Sequence, residues 1–236
     1  MGYEAQKTNR LRDADFFRTY FSGSVLDIGC GPDLVIPSAQ PFDQDHGDAN
    51  QIRDYFPAET FDTVHSSHCL EHMRDVRAAL LQWWSLVKPG GYLVLVVPDE
   101  NLYEQGYWPS LFNSDHKSTF RLDGHGSWSP ASYECRALLG ELPLAEIVDI
   151  RVQDAGYDHR LLRLPHGVLG KVQRFVGRSL LWLSHRRRFL FHRLRIRAPG
   201  IEQFFGRIEW RLGKPVAQTD GEAVAQIQAI VRKRAG

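Results

Sequence analysis

Long apolar runs are missing: no stretch of the 236 residues approaches the ~20 consecutive apolar positions that a membrane-spanning helix requires. The amino-terminal MGYEAQKTNRLRDAD is polar and lacks the apolar centre of a secretory signal, so a cytoplasmic location is expected. Cysteine is scarce. Cys30, Cys69 and Cys135 are too few and too scattered for a disulfide framework, and no CxxC pair offers a zinc knuckle, which fits a reducing compartment. An excess of one charge is lacking too: the net is +1, with 43% hydrophobic and 24% charged residues, which excludes the composition of a disordered chain. The length suits one α/β domain, or one domain carrying an insertion.

The near-neutral total hides an asymmetry. From residue 151 onward there are 18 Lys/Arg against 6 Asp/Glu, whereas residues 1–150 hold 11 and 22. The two halves therefore face different partners, or each other.

Residues 10–21 read as a short helix ended by Gly23, ahead of the apolar SVLDIG, a first strand entering a glycine turn. FDTVHSSH (61–68) is a second strand. CLEHMRDVRAALLQWWSLV follows with apolar residues at helical spacing, until Lys88-Pro89-Gly90-Gly91 stops the helix. The continuous apolar run GYLVLVVPD (91–99) suits a strand buried on both faces of a mostly parallel sheet. SPASYECRALLGEL (129–142) reads as a helix capped by Ser129 with Pro130 at its first position, and AEIVDIRVQD (145–154) as a further strand. AVAQIQAIVRKR (223–234) alternates like a closing strand near the sheet edge. The expected organisation is an α/β domain over 1–154 and 223–236, interrupted by a basic, mainly helical insertion over 155–222.

Val25-Leu26-Asp27-Ile28-Gly29-Cys30-Gly31 puts a glycine bend at the tip of the first strand, where open α/β sheets bind ligands. A dinucleotide fingerprint would need a third glycine, and Asp33-Leu34 stand there instead, which argues against NAD. Asp27, two residues before the first glycine, suits water-mediated hydrogen bonds to the amino group of a methionine moiety.

VLDIGCG, FDTVHSSHCLEH and LVKPGGYLVLVVPD, in this order, resemble the motifs of class I methyltransferases that use S-adenosylmethionine, of the type 11 kind. The resemblance implies a Rossmann-like sheet, mostly parallel with an antiparallel closing strand. It implies a cofactor site made of Asp27, Gly29, Cys30, Gly31 and Ser67, an acid at the end of strand two for the ribose hydroxyls, and Asp48-Ala49 by the adenine. The ribose acid is Asp43 or Asp45, with Asp43 preferred because it follows apolar Phe42. Few residues separate Asp27 from Asp48, and GPDLVIPSAQP (31–41) is expected to replace the first crossover helix with a loop.

A methyl on a sulfonium is already activated, so the protein has to align an acceptor and, for a hydroxyl, take its proton. His116 is the expected base, with Asp115 as its orienter and His68 nearby. In ubiquinone-pathway and small-RNA 2′-O-methyltransferases a Glu-x-x-Glu-His segment holds a divalent cation. The similar His68-x-x-Glu71-His72, with His116, suggests a mixed nitrogen and oxygen site for zinc, iron or manganese. The competing expectation is a metal-free loop with the histidine beside the cofactor and the glutamate organising the turn.

After the strand ending at 99, Tyr103, Tyr107, Trp108 and Phe112 offer ring faces, while Glu104, Asn113, Asp115, His116 and Lys117 offer hydrogen bonds to a small-molecule or glycan acceptor. This segment is similar to one in methyltransferases of bacterial surface-polysaccharide biosynthesis, which implies O-methylation of a sugar hydroxyl or a phosphate-type group. A nitrogen- or RNA-directed enzyme would carry Asn/Asp-Pro-Pro-aromatic where HSSHCLEH stands, and a non-catalytic scaffold would have lost Gly29 and Gly31.

Arginine alternates with Leu, Phe, Val and Trp182 through residues 161–197. Such a segment covers the sheet or forms a homodimer interface, or it meets an anionic membrane or lipid-linked acceptor from the cytoplasmic side. Nucleic acid is disfavoured, because no aromatic RNA-binding motif accompanies the charge.

Overall fold

The computed structural model describes residues 4–122, 124, 126–164, 167–194 and 199–236. Of the basic segment, Pro165, His166, Arg195, Ile196 and Arg197 lie outside the described residues. The helix expected over 10–21 is the shorter α2 (Ala14–Tyr20), and a separate helix, α1 (Glu4–Asn9), precedes it. Asp13 separates them: its backbone is extended and its carboxylate accepts the Phe16 N–H at 2.8 Å, capping α2.

β1 (Val25–Ile28) is followed by β2 (Gln40–Phe42), β3 (Phe61–Ser67), α3 (Val76–Ser85) and β4 (Val87–Pro98). Then come β5 (Thr119–Arg121), β6 (Ser132–Glu134), α4 (Cys135–Gly140) and β7 (Ala145–Gln153), and after them α5 (Gly167–Arg193), α6 (Pro199–Arg211) and β8 (Gln226–Lys233). The main sheet has the order β2-β1-β3-β4-β8-β7; β8 runs antiparallel to both of its neighbours, and the other pairings are parallel. This is the expected Rossmann-like class.

Strand alternation divides the core between two faces. Leu26, Ile28, Leu93 and Leu95 join the side covered by α3, whose Trp83 and Trp84 are fully buried. Their indole N–H groups donate to Ala49 O at 2.8 Å and Pro143 O at 2.9 Å, so neither buried ring leaves its polar atom unpaired. Val25 and Val94 lie on the other side, under Phe16, Phe17 and Tyr20 of the α2 segment and under Val35. Residues 29–39, all described, contain no helix, as the short spacing predicted. The amino-terminal segment and Val35 cover that face in place of a crossover helix.

The Lys88-Pro89-Gly90-Gly91 segment has a mechanical reason. A Cβ on Gly91 would stand 2.5 Å from Asp62 O, and Lys88 Nζ lies 2.9 Å from Asp62 Oδ1. The other Asp62 oxygen accepts the Ser24 N–H and hydroxyl at 2.8 and 2.7 Å, so one carboxylate joins the starts of β1, β3 and β4.

One expectation is corrected, and another holds with a difference in burial. The helix assigned to Ser129-Pro130 begins later: Ser132–Glu134 pairs with β5, and Glu134 caps α4 by accepting the N–H groups of Arg136 and Ala137. β8 lies near the edge as expected, next to the outermost strand β7, and is almost wholly buried between β4 and β7. Its alternating glutamines are both buried on partners: Gln226 donates to Thr8 Oγ1 at 2.9 Å and Gln153 Oε1 at 2.7 Å, and Gln228 accepts from Arg12 Nε at 3.0 Å.

Candidate active site

The chain leaves β1 for β2 on one side and β3 pairs with β1 on the other, so the sheet's topological switch point falls at the carboxyl ends of these strands. Gly29 and Gly31 turn there with φ of +74° and +52°. A Cβ on Gly29 would stand 2.5 Å from Cys69 Cβ, so glycine is needed both for the backbone angle and for the approach of the next loop. Above Gly31 a Cβ would meet just Asp43 Oδ2, at 3.7 Å, which leaves room for a ligand against the backbone.

Asp43, at the tip of β2, accepts the Gly31 N–H at 2.7 Å through one oxygen and the Gln44 N–H at 2.7 Å through the other. Asp45 is exposed, and no such tie to the bend is found for it among the described residues. Asp48 caps the 3-10 turn Ala49–Asp54, accepting from Asn50 N at 2.9 Å and Nδ2 at 2.8 Å, and pairs with Arg74. Those bonds from Asn50, with help from Arg74, hold its carboxyl below the ordinary range. The Ser67 hydroxyl, at the end of β3, is buried and makes no hydrogen bond among the described residues.

Asp27 departs from the expected role. It is 1% exposed, with Oδ1 2.6 Å from His65 Nδ1 and Oδ2 accepting the Val35 N–H at 2.7 Å. With no crossover helix, residue 35 folds back onto this carboxylate, which anchors the bend from within. Cys30 is half-buried beside it, and burial pushes its thiol up to about 11, so it stays protonated at neutral pH.

A second group of side chains follows β3. His68 takes a left-handed φ of +52°, and Leu70–His72 forms a 3-10 turn. His68, Glu71 and His72 therefore do not share an α-helical face, as their spacing had suggested; the reversal at His68 brings them together instead. Glu71 is fully buried, and neither of its oxygens makes a good hydrogen bond among the described residues. Three imidazoles surround it: His68 Nδ1 at 3.5 Å, His72 Nε2 at 3.9 Å and His116 Nε2 at 3.9 Å. Burial works to raise the Glu71 pKa, but His68, His116 and His72 outweigh it and hold the group below its usual value.

The outward nitrogens fix the tautomers. His116 Nδ1 lies 2.6 Å from Glu104 Oε1, and His72 Nδ1 lies 2.9 Å from Asp115 Oδ2. Each of these Nδ1 atoms donates to a carboxylate, which turns Nε2 inward toward Glu71. His68 Nε2 lies 3.0 Å from Gln226 Oε1, an atom that accepts because Gln226 Nε2 already donates twice. One ligating atom from each of Glu71, His72 and His116 falls within 4.8 Å of the others.

Glu104 and Asp115 thus exchange their expected parts. Glu104, 1% exposed, orients His116 and is closed off from any substrate, while the exposed Asp115 orients His72. Lys117 Nζ donates to His72 O at 2.8 Å, and its N–H donates to Glu71 O at 2.8 Å, which pins the segment to the cluster. Asn113 Oδ1 accepts the Asp115 N–H at 3.1 Å. Tyr103 and Phe112 remain half-buried, with the Tyr103 ring 5.1 Å from His116 and 6.2 Å from Phe112. Trp108 is half-buried and its carbonyl accepts from Arg178 at 2.8 Å, whereas Tyr107 is buried against Gly177 of α5 and offers no face to a ligand. Sequence reading missed His65, Thr8 and Gln226; a polar residue at alternate positions of an apolar strand was the signal for the last.

A sheet of this order with a glycine bend at its switch point defines a Rossmann-like class I methyltransferase. The family model described as "Methyltransferase domain" matches residues 5–189, and the chain belongs to that family; it is an S-adenosylmethionine-dependent methyltransferase. Among solved structures it resembles the YcgJ protein from Bacillus subtilis (15% identity, 98% of this chain and 99% of that one, TM-score 0.52). It also resembles a SAM-dependent methyltransferase from Archaeoglobus fulgidus (16% identity, 99% and 95%, TM-score 0.51). At such identities the likeness is one of fold. No curated protein matches the sequence.

Proposed function

We propose that the protein transfers the methyl group of S-adenosylmethionine to a hydroxyl of a sugar, or to a phosphate-type group, on a glycan or glycan precursor, and that Glu71, His72 and His116 hold a divalent cation beside the acceptor. The residues fit both groups. Room over Gly31, the buried unbonded Ser67 hydroxyl and Asp43 at the β2 tip suit an adenosyl ligand, with Asp43 toward the ribose and Asp48-Ala49 toward the adenine. S-adenosylmethionine brings a methyl already activated by its sulfonium.

The observation that carries the cation is the convergence of Glu71, His72 and His116, one ligating atom of each lying within 4.8 Å of the others. A buried carboxylate with no good hydrogen bond among the described residues, faced by the Nε2 atoms of two histidines whose Nδ1 atoms are held by carboxylates, is a donor set that a divalent cation would complete. Imidazole with carboxylate suits zinc, iron or manganese. When bound, the cation would supply positive charge that acidifies a nearby hydroxyl. His116 is then a ligand and not the general base, and His68 completes the wall. Half-buried Tyr103 next to His116, and Phe112 beside Tyr103, offer apolar ring faces of the kind on which sugars stack.

The test is to purify the protein without an affinity tag, measure its metal content, and incubate it with methyl-labelled cofactor and carbohydrate fractions, with and without chelator. Label in hydroxyl-bearing carbohydrate, lost on chelation and restored by zinc, iron or manganese, is expected. Full turnover in chelator without stoichiometric metal would overturn the cation, and label confined to amines or RNA would overturn the acceptor.

A further inference from the structure

α5 turns one face to the protein and the opposite face to solvent. Gly170, Gly177 and Ser184 recur at seven-residue intervals and are buried. A Cβ on Gly177 would collide with the Tyr107 hydroxyl, and Ser184 Oγ accepts from Lys214 Nζ at 2.7 Å. About half a turn around the helix stand Val172, Phe175, Trp182, Phe189 and Leu190, all exposed, with Phe175 at 72% and Phe189 at 66%. α6 adds exposed Ile201, Phe204 and Ile208 at helical spacing. The two helices are joined side to side, Glu209 of α6 holding Arg187, and Arg187 lying over the Phe205 ring at 4.8 Å. An outward apolar surface of this extent is larger than scattered exposed side chains explain.

Its charge narrows what covers it. α5 contains seven Lys/Arg and no Asp or Glu. Arg186 packs at 4.7 Å over exposed Trp182, so cation and aromatic ring are presented together. A twofold contact between copies would set this cationic helix against its own counterpart, like charge on like charge. No helix among the described residues is long and apolar enough to cross a membrane. Aromatic and aliphatic side chains directed outward and flanked by arginine match the plane of an anionic bilayer surface, where the apolar groups enter and the cations meet headgroups.

We infer that the α5–α6 face docks on an anionic membrane surface. This docks the catalytic region too, because Arg178 of α5 donates to the Trp108 and Pro109 carbonyls of the loop that carries Tyr103 and Glu104. The inference stands apart from the methyl acceptor and is read without turnover.

The experiment is flotation of the full chain with vesicles of phosphatidylcholine alone or mixed with phosphatidylglycerol, at low and physiological salt. The triple variant Phe175→Ser, Trp182→Ser, Phe189→Ser, outside the proposed site, is run beside it, with thermal melting to show that it is folded. Binding to the phosphatidylglycerol vesicles, weakened by salt and reduced at least about tenfold in the variant, is expected. Should the variant not fold, Arg186→Glu with Arg193→Glu is expected to abolish binding in the same way. Absence of binding to anionic vesicles at low salt overturns the inference. So does equal binding to neutral vesicles, or self-association or RNA binding through this face with no flotation.

Discussion

His116 and Glu104 form a closed pair: Nδ1 and Oε1 are 2.6 Å apart, and the two side chains are 2% and 1% exposed. No solvent competes for that bond, so Glu104 sets both the ring plane and the inward direction of Nε2. Glu104→Gln keeps the shape but replaces the charged acceptor. Cation affinity is expected to fall about 10–100-fold, read by calorimetry with zinc or manganese. Asp115→Asn, at the exposed His72 bond, is expected to cost less. Equal affinities in all three proteins would remove the orienting role.

At Gly29 the prediction concerns the bend. Gly29→Ala brings a Cβ within 2.5 Å of Cys69 Cβ at a left-handed φ, and a loss of about 2–4 kcal/mol is expected from strain and overpacking together. Cofactor binding should drop more than tenfold. Adding Cys69→Ala should not rescue it, because the closest contact is with the Cβ that alanine retains, whereas Cys69→Gly should restore part of the stability. Denaturant unfolding and titration with S-adenosylhomocysteine check both.

The carboxylate beneath Lys88 gives a pH dependence. Hydrogen bonds from the Ser24 hydroxyl and N–H, then from Lys88, hold Asp62 down to about 2. Protonation is therefore favoured in the unfolded chain first, and the stabilisation is full above pH ~4 and is lost as pH falls from ~4 toward ~2. The side chain is 42% exposed, which reduces the effect to about 1 kcal/mol. Asp62→Asn should be less stable at pH 7 and show a flatter stability curve across that acid range. Parallel curves for the two proteins would contradict the assignment.

Local sequence carried the sheet and the bend, since VLDIG and GYLVLVVPD state their burial in their own composition and the glycines state their angles. It could also show that residues 31–41 are too short and too rich in proline for a crossover helix. The partnering of polar groups was not legible. Asp27 is occupied by His65 on the neighbouring strand, and Glu104 by His116 twelve residues on, through a loop fold that spacing does not encode. The partners of Gln226 and Gln228, Thr8 and Arg12, lie over 200 residues away in the chain, beyond the reach of any local pattern.

Gln226 is where the amino terminus, the sheet and the cluster meet. Its amide donates to Thr8 and Gln153, and its oxygen accepts from His68. Gln226→Leu fills the same space but leaves the partly buried His68 Nε2–H and Gln153 oxygen without this partner, and a cost of about 1 kcal/mol is expected. The functional consequence is separable from the stability loss. Without Gln226 the His68 ring loses its Nε2 tie, so the wall beside Glu71 loses definition while Glu104 and Asp115 still orient the other two rings. Methyl transfer should therefore fall several-fold more than cation affinity does. Histidine nuclear magnetic resonance should show the His68 ring tautomer becoming mixed. A single unchanged tautomer in the variant would mean that Gln226 supports the fold without positioning His68.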